Sequence, residues 1–74
     1  PQDTTLAFEY TALEMVLMGR HAHLGVFAVE GPEDYARARE AMAATGTAHL
    51  ESRGFHTLSG GERQRVVIAA ALAQ

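Results

Sequence analysis

Apolar positions along the chain fall into three blocks, and within each the spacing is that of a helix. In the first, Ala12-Leu13 and Met15 to Met18 leave almost no polar face, so the block reads as a buried helix that Gly19 stops. In the second, Tyr35, Ala38, Ala41 and Met42 recur at helical spacing, Arg37, Arg39 and Glu40 mark the wet side, and Gly46 marks the end. The third, Val66 to Ala73, is small and apolar on every side and is expected to be buried all round. Between the first two, Arg20 to Glu30 mixes His21, His23 and Gly25 with alternating Val26, Phe27 and Val29, which reads as a loop with a short extended piece. Ala48 to Ser52 adds a further turn carrying Leu50 inward, and Arg53 to Thr57 connects it to the last block. Pro1 to Tyr10 has no period and reads as an irregular lead-in. The predicted fold class is mainly α: a small helical bundle of about three main helices plus a short turn of helix.

Polar residues at the block edges sharpen this picture. Thr11 stands three residues before Glu14, and Ser59 three before Glu62, so each pair forms a capping box in which hydroxyl and carboxylate satisfy each other's backbone N–H. Pro32 with Glu33 and Asp34 opens the second helix, the proline where its missing N–H costs nothing and the acids at the positive dipole end. The second box places the start of the last helix at Gly60. Glycines at positions 60 and 61 cost helix propensity, but they remove every Cβ from the place where free N–H groups point outward. An anion such as phosphate can approach such a helix start closely.

Composition narrows the function classes. Seventy-four residues make one small domain, near the size where a single core supplies about 3–5 kcal/mol. There is no cysteine, hence no disulfide and no thiolate metal site. A net charge of −3, with no basic patch beyond Arg63 and Arg65 on one helical turn, argues against general nucleic-acid binding. The longest apolar run, Val66 to Ala73, falls well short of the roughly 18 residues that cross a bilayer, and the first residues lack the basic start of a signal peptide. His21-x-His23 has no third ligand at helical spacing, whereas zinc takes three or four, so no metal site is assigned.

Leu58-Ser59-Gly60-Gly61-Glu62-Arg63-Gln64-Arg65-Val66 resembles the signature motif of ATP-binding cassette (ABC) ATPases, and Ile68 to Gln74 resembles the continuation of that helix. Two positions depart from the usual pattern: Glu62 stands where glutamine is frequent, and Ala70 where arginine is usual. Pro1-Gln2 looks like the Q-loop of the same family. Thr11 to Arg20 looks like the segment that follows it in importers of iron-siderophore, haem and cobalamin type, and His49-Leu50, Arg53 and Thr57 continue the likeness. The 74 residues hold no Gly-x-x-x-x-Gly-Lys-[Ser/Thr] loop and no lysine at all, nor an apolar strand ending in Asp-Glu. By resemblance, the chain is expected to be a fragment cut at both ends: residues 1–10 a Q-loop remnant and lead-in, residues 11–74 the helical subdomain ending in the signature helix.

What the resemblance implies can be placed on matching residues. Ser59, Gly60, Gly61 and Glu62 would contact, in trans, ATP held on the Walker A loop of a second, head-to-tail ATPase subunit, with Glu62 structural rather than phosphate-binding. Gln2 would sense Mg²⁺ and the attacking water. Phe8 and Tyr10 are candidates for contact with the coupling helix of a membrane permease, and Leu13 for core. ATP and Mg²⁺ are the implied cofactors of the complete protein, none being expected for the chain alone, which is expected to be inactive in hydrolysis. The implied location is the cytoplasmic face of the membrane, through the permease, and the implied process is metal-chelate import. Two other readings stand beside this one: a free-standing helical interaction module without ATPase activity, and a fragment of a DNA-maintenance ABC-type ATPase. The unpartnered apolar block Val66 to Ala73 predicts self-association or fraying of the isolated chain.

Overall fold

The computed structural model describes residues 9–24 and 30–74. Three α-helices, α1 (Ala12–Leu24), α2 (Pro32–Ala44) and α3 (Gly60–Leu72), pack on one another in every pairing, with two 3-10 turns, Ala48–Leu50 and Phe55–Thr57, between α2 and α3. This is the predicted small helical bundle. Among the described residues there is no sheet, only an isolated antiparallel bridge between Thr11 and Gly54. No helix among them is long and apolar enough to cross a membrane.

The core follows the apolar spacing of the sequence. Ala12, Val16 and Leu17 of α1, Ala38, Ala41 and Met42 of α2, and Val66, Ala69 and Ala73 at α3 are buried together with Leu50, Phe55 and Leu58. Leu50 points inward from the first 3-10 turn, as its position predicts, and Leu13 and Met15 pack at the core's edge. Small residues dominate the α3 contribution, which lets its backbone lie close to the neighbouring helices.

Three expectations are corrected. Gly19 does not stop α1, which runs on to Leu24, so residues 20–24 are helical rather than loop. The physical reason is a neighbour: a Cβ at Gly19 would lie 2.6 Å from the Cβ of Ala70 and 2.9 Å from the Ala70 carbonyl oxygen, so this glycine admits α3 against α1 instead of ending a helix. Nor is either apolar block buried all round, because each helix meets neighbours on one side only: Met18 is 49% exposed, and Val67, Ile68 and Leu72 form an uncovered apolar face on α3. Tyr35, placed on the inner face of α2 by spacing, sits at the surface with the Arg39 guanidinium 5.8 Å from its ring centroid.

Helix ends are tied by the expected local bonds and some unexpected ones. The Thr11 N–H donates to Glu14 Oε1 at 2.8 Å and the Glu14 N–H to Thr11 Oγ1 at 3.1 Å, the first capping box. The next orphan amides of α1 are satisfied from far along the chain: Ala12 N–H donates to the Arg53 carbonyl (2.9 Å) and Leu13 N–H to that of Glu51 (3.1 Å). Phe55 N–H in turn donates to the Tyr10 carbonyl at 2.8 Å. The connector is therefore pinned to the start of α1. Beyond α2, Gly46 takes φ +72, the left-handed conformation expected just past a helix end, and Thr47 is fully buried with its hydroxyl on the Met42 carbonyl at 3.2 Å.

Candidate functional site

Leu58 is buried and Ser59 exposed, so the chain leaves the core at this point and turns into α3. Ser59 is extended (φ −66, ψ 165), the N-cap geometry, and its Oγ accepts from the Glu62 N–H at 3.1 Å while its own N–H donates to Glu62 Oε1 at 2.9 Å. The helix starts at Gly60, as the sequence predicts. A Cβ at Gly60 would meet nothing within 4 Å, and one at Gly61 only the Arg65 side chain at 3.8 Å. Both glycines are exposed, and among the described residues neither N–H has an acceptor. This is an open pair of amides at the positive end of a thirteen-residue helix, accessible to an anion from outside.

The Glu62 carboxylate does not oppose such an anion as a free charge would. It is folded back onto the Ser59 amide, and that hydrogen bond, ahead of the Ser59 hydroxyl and the charges of Arg53 and Arg65, holds its pKa below the usual carboxylate range. Arg63 and Arg65 are exposed on the first turns and add positive potential to the same end. Ala70 is buried against Gly19 and makes no polar contact.

The remaining candidate residues lie elsewhere. Gln2 and Phe8 fall outside the described residues. Tyr10 is half-buried, with its ring stacked on Phe55 (centroids 5.6 Å, 23°) and edge-on to His56 (5.4 Å, 61°). It also borders an open groove of about 560 Å³, floored by Leu17 and Tyr35 and rimmed by the carboxylates of Glu9, Glu14 and Glu30. Among the described residues no three His, Asp or Glu side chains gather as a metal-binding group; His21 has Nδ1 3.8 Å from Glu30 Oε2 and a buried Nε2 without a partner, and the side chain of His23 lies outside the described set.

Spacing alone does not bring out a cluster at the opposite end of α3. Arg20 Nε donates to Asp34 Oδ1 at 2.7 Å and its Nη1 to the Ala73 carbonyl at 2.9 Å, while Asp34 Oδ2 accepts from the Gly31 N–H at 2.9 Å. The Arg20 hydrogen bond first, and the Gly31 amide second, lower the Asp34 pKa. One guanidinium thus joins α1, the start of α2 and the end of α3. The local signal for it is a charged residue directly after the apolar run Met15 to Met18 and Gly19.

Known proteins resemble this chain along its full length. A hemin import ATP-binding protein, HmuV, from Gloeobacter violaceus is 55% identical over 74 residues, covering 100% of this chain and 26% of that protein. A cobalamin import ATP-binding protein, BtuD, from Halobacterium salinarum is 49% identical over 74 residues, covering 100% of this chain and 18% of that protein. A solved structure described as an inward-facing conformation of a metal-chelate type ABC transporter superposes with TM-score 0.82 at 42% identity, over 99% of this chain and 29% of that one. The chain therefore spans about a quarter of the length of the proteins it matches. The family model described as ABC transporter matches residues 1–74, and with the capped glycine pair at the start of α3 in place, the chain belongs to the ABC transporter family.

Proposed function

We propose that this chain is the helical subdomain of an import-type ABC ATPase, and that Ser59, Gly60 and Gly61 complete a nucleotide site on an opposing subunit. In this division residues 1–10 carry the Q-loop residue Gln2 and a lead-in, and residues 11–74 the helical subdomain. The observation that carries the reading is the open amide pair of Gly60 and Gly61 behind the Ser59–Glu62 box. Ser59 Oγ and the two amides would hold the γ-phosphate of ATP–Mg²⁺, gaining strength only when the two subunits close head to tail. Glu62 keeps the turn in shape and stays out of the phosphate's way. The 74 residues contain no lysine and no Walker A loop, so the nucleotide's other contacts would come from outside them.

The relatives' names support import of a metal chelate as the process served, and hence a membrane permease as partner, with the protein at the cytoplasmic face. Tyr10 and Phe8 would meet the permease's coupling helix. Tyr10 borders an apolar groove with a carboxylate rim, which suits an amphipathic helix bearing basic residues.

Titrating Mg-ATP into the 74-residue chain with amide detection by NMR tests the half-site. Expected are shifts centred on Gly60 and Gly61 with a Kd on the order of 1 mM. Binding at micromolar strength would contradict a half-site, and complete absence of shifts would favour a free-standing helical module.

A further inference from the structure

α3 carries the signature turn at one end and is gripped at the other. The grip has two adjoining parts. Gly19 lets the α1 backbone reach Ala70, where any side chain would collide, and this fixes the separation of the two helices. Arg20 then holds the carbonyl of Ala73, the residue that caps the end of α3, and anchors to Asp34, which itself receives the Gly31 amide at the start of α2. The Arg20 and Asp34 side chains are each only 15% exposed, so the pair is shielded from bulk water and its geometry is restricted. The charges also suit the helix ends they touch: a cation at the negative end of α3 and a carboxylate at the positive end of α2. Arg20 is thus bonded to all three helices, through a fork that holds two acceptors in fixed relation.

We propose that Arg20 is a positioning residue for the signature turn, acting through α3. Thirteen residues of helix make a lever of roughly 20 Å, so a tilt of about 3° at the Ala73 end moves the Gly60 amides by about 1 Å. An anion held by two amides and a hydroxyl tolerates little of that. This inference rests on the reading that Ser59, Gly60 and Gly61 contact nucleotide in the closed dimer.

The test is made in the intact ATP-binding protein, with Arg20→Met, Asp34→Asn, the double variant and Ser59→Ala, at a temperature where circular dichroism shows all of them folded. Arg20→Met is expected to lower kcat and kcat/KM together by roughly ten- to a hundredfold, the scale of a misplacement of about 1 Å. Asp34→Asn lowers them in the same direction, and the double variant is no worse than Arg20→Met alone, because both act through one contact. Spin labels on α2 and at the exposed Arg63 position should show a shifted or broadened distance in Arg20→Met. If Ser59→Ala loses activity while folded Arg20→Met keeps wild-type kcat, Arg20 is structural only and the proposal fails, with the signature reading intact. If Ser59→Ala itself keeps wild-type kcat, the reading beneath the proposal fails instead.

Discussion

Replacing Gly19 by alanine sets two effects of opposite sign against each other. In an open helix interior the change stabilises by about 1 kcal/mol, because glycine costs about that much relative to alanine. Here the new Cβ lands 2.6 Å from the Ala70 Cβ and 2.9 Å from the Ala70 carbonyl oxygen. Carbon atoms rest at about 3.5–4.0 Å, so the overlap is about 1 Å. Neither obstacle is the end of a flexible side chain, so relief requires α1 and α3 to move apart along the seam that buries Val16, Val66 and Ala69. Overpacking of this kind costs about 1–3 kcal/mol, and a clash against backbone belongs at the upper end. After the propensity gain, about 2 kcal/mol of destabilisation remains. For a domain of this size that corresponds to a fall in Tm of roughly 8–16 °C, read by thermal circular dichroism at 222 nm. Ala70→Gly in the same background removes one obstacle but leaves the carbonyl, so it should recover only part of the loss. A Gly19→Ala variant melting at or above the parent temperature would refute the close-contact account and leave Gly19 an ordinary helical glycine.

Three further outcomes are expected. The Glu62 carboxyl titrates below the usual range in the folded chain, first because it accepts from the Ser59 N–H, so the unfolded chain takes up that proton at higher pH; the cap's contribution is whole above the unfolded carboxylate value and is lost as pH falls through the depressed folded one. Glu62→Gln should therefore flatten part of the acid limb of a Tm–pH curve, with Asp34, also lowered, supplying another part. Thr47→Val keeps the buried shape but removes the hydroxyl bonds to the Met42 carbonyl and Thr45, and should cost about 1 kcal/mol in urea unfolding with the m-value unchanged. Sedimentation velocity should show concentration-dependent association of the isolated chain through Val67, Ile68 and Leu72, and Ile68→Glu with Leu72→Glu should abolish it; a parent chain monomeric at all concentrations tested would refute this.

Apolar spacing made the three helices legible, and the helix caps were legible through a further property: their partners lie within one helical turn. Thr11 with Glu14 and Ser59 with Glu62 are three residues apart, so composition and spacing alone determine both boxes, and the structure forms both. Gly19 shows where that property ends. A glycine that stops a helix and a glycine that admits a neighbouring backbone look alike until Ala70 is brought beside it, and among the described residues Gly46, at φ +72, is of the first kind. The same holds for Arg20, whose carbonyl partner lies 53 residues away. It holds also for Phe55, which reads as part of a connector and proves to be core because Tyr10 stacks on it. Apolar runs mislead for a related reason: Met18 and Leu72 announce burial, but three helices in a small bundle can cover only one side of each. The chemistry of the signature turn is therefore written locally, in four consecutive residues, whereas its direction in space is written at the far end of α3 by residues no motif includes. An intact Ser59-Gly60-Gly61-Glu62 in a variant of this chain is then insufficient to infer a working half-site, because a change at Gly19 or Arg20 leaves every motif residue in place and aims them elsewhere.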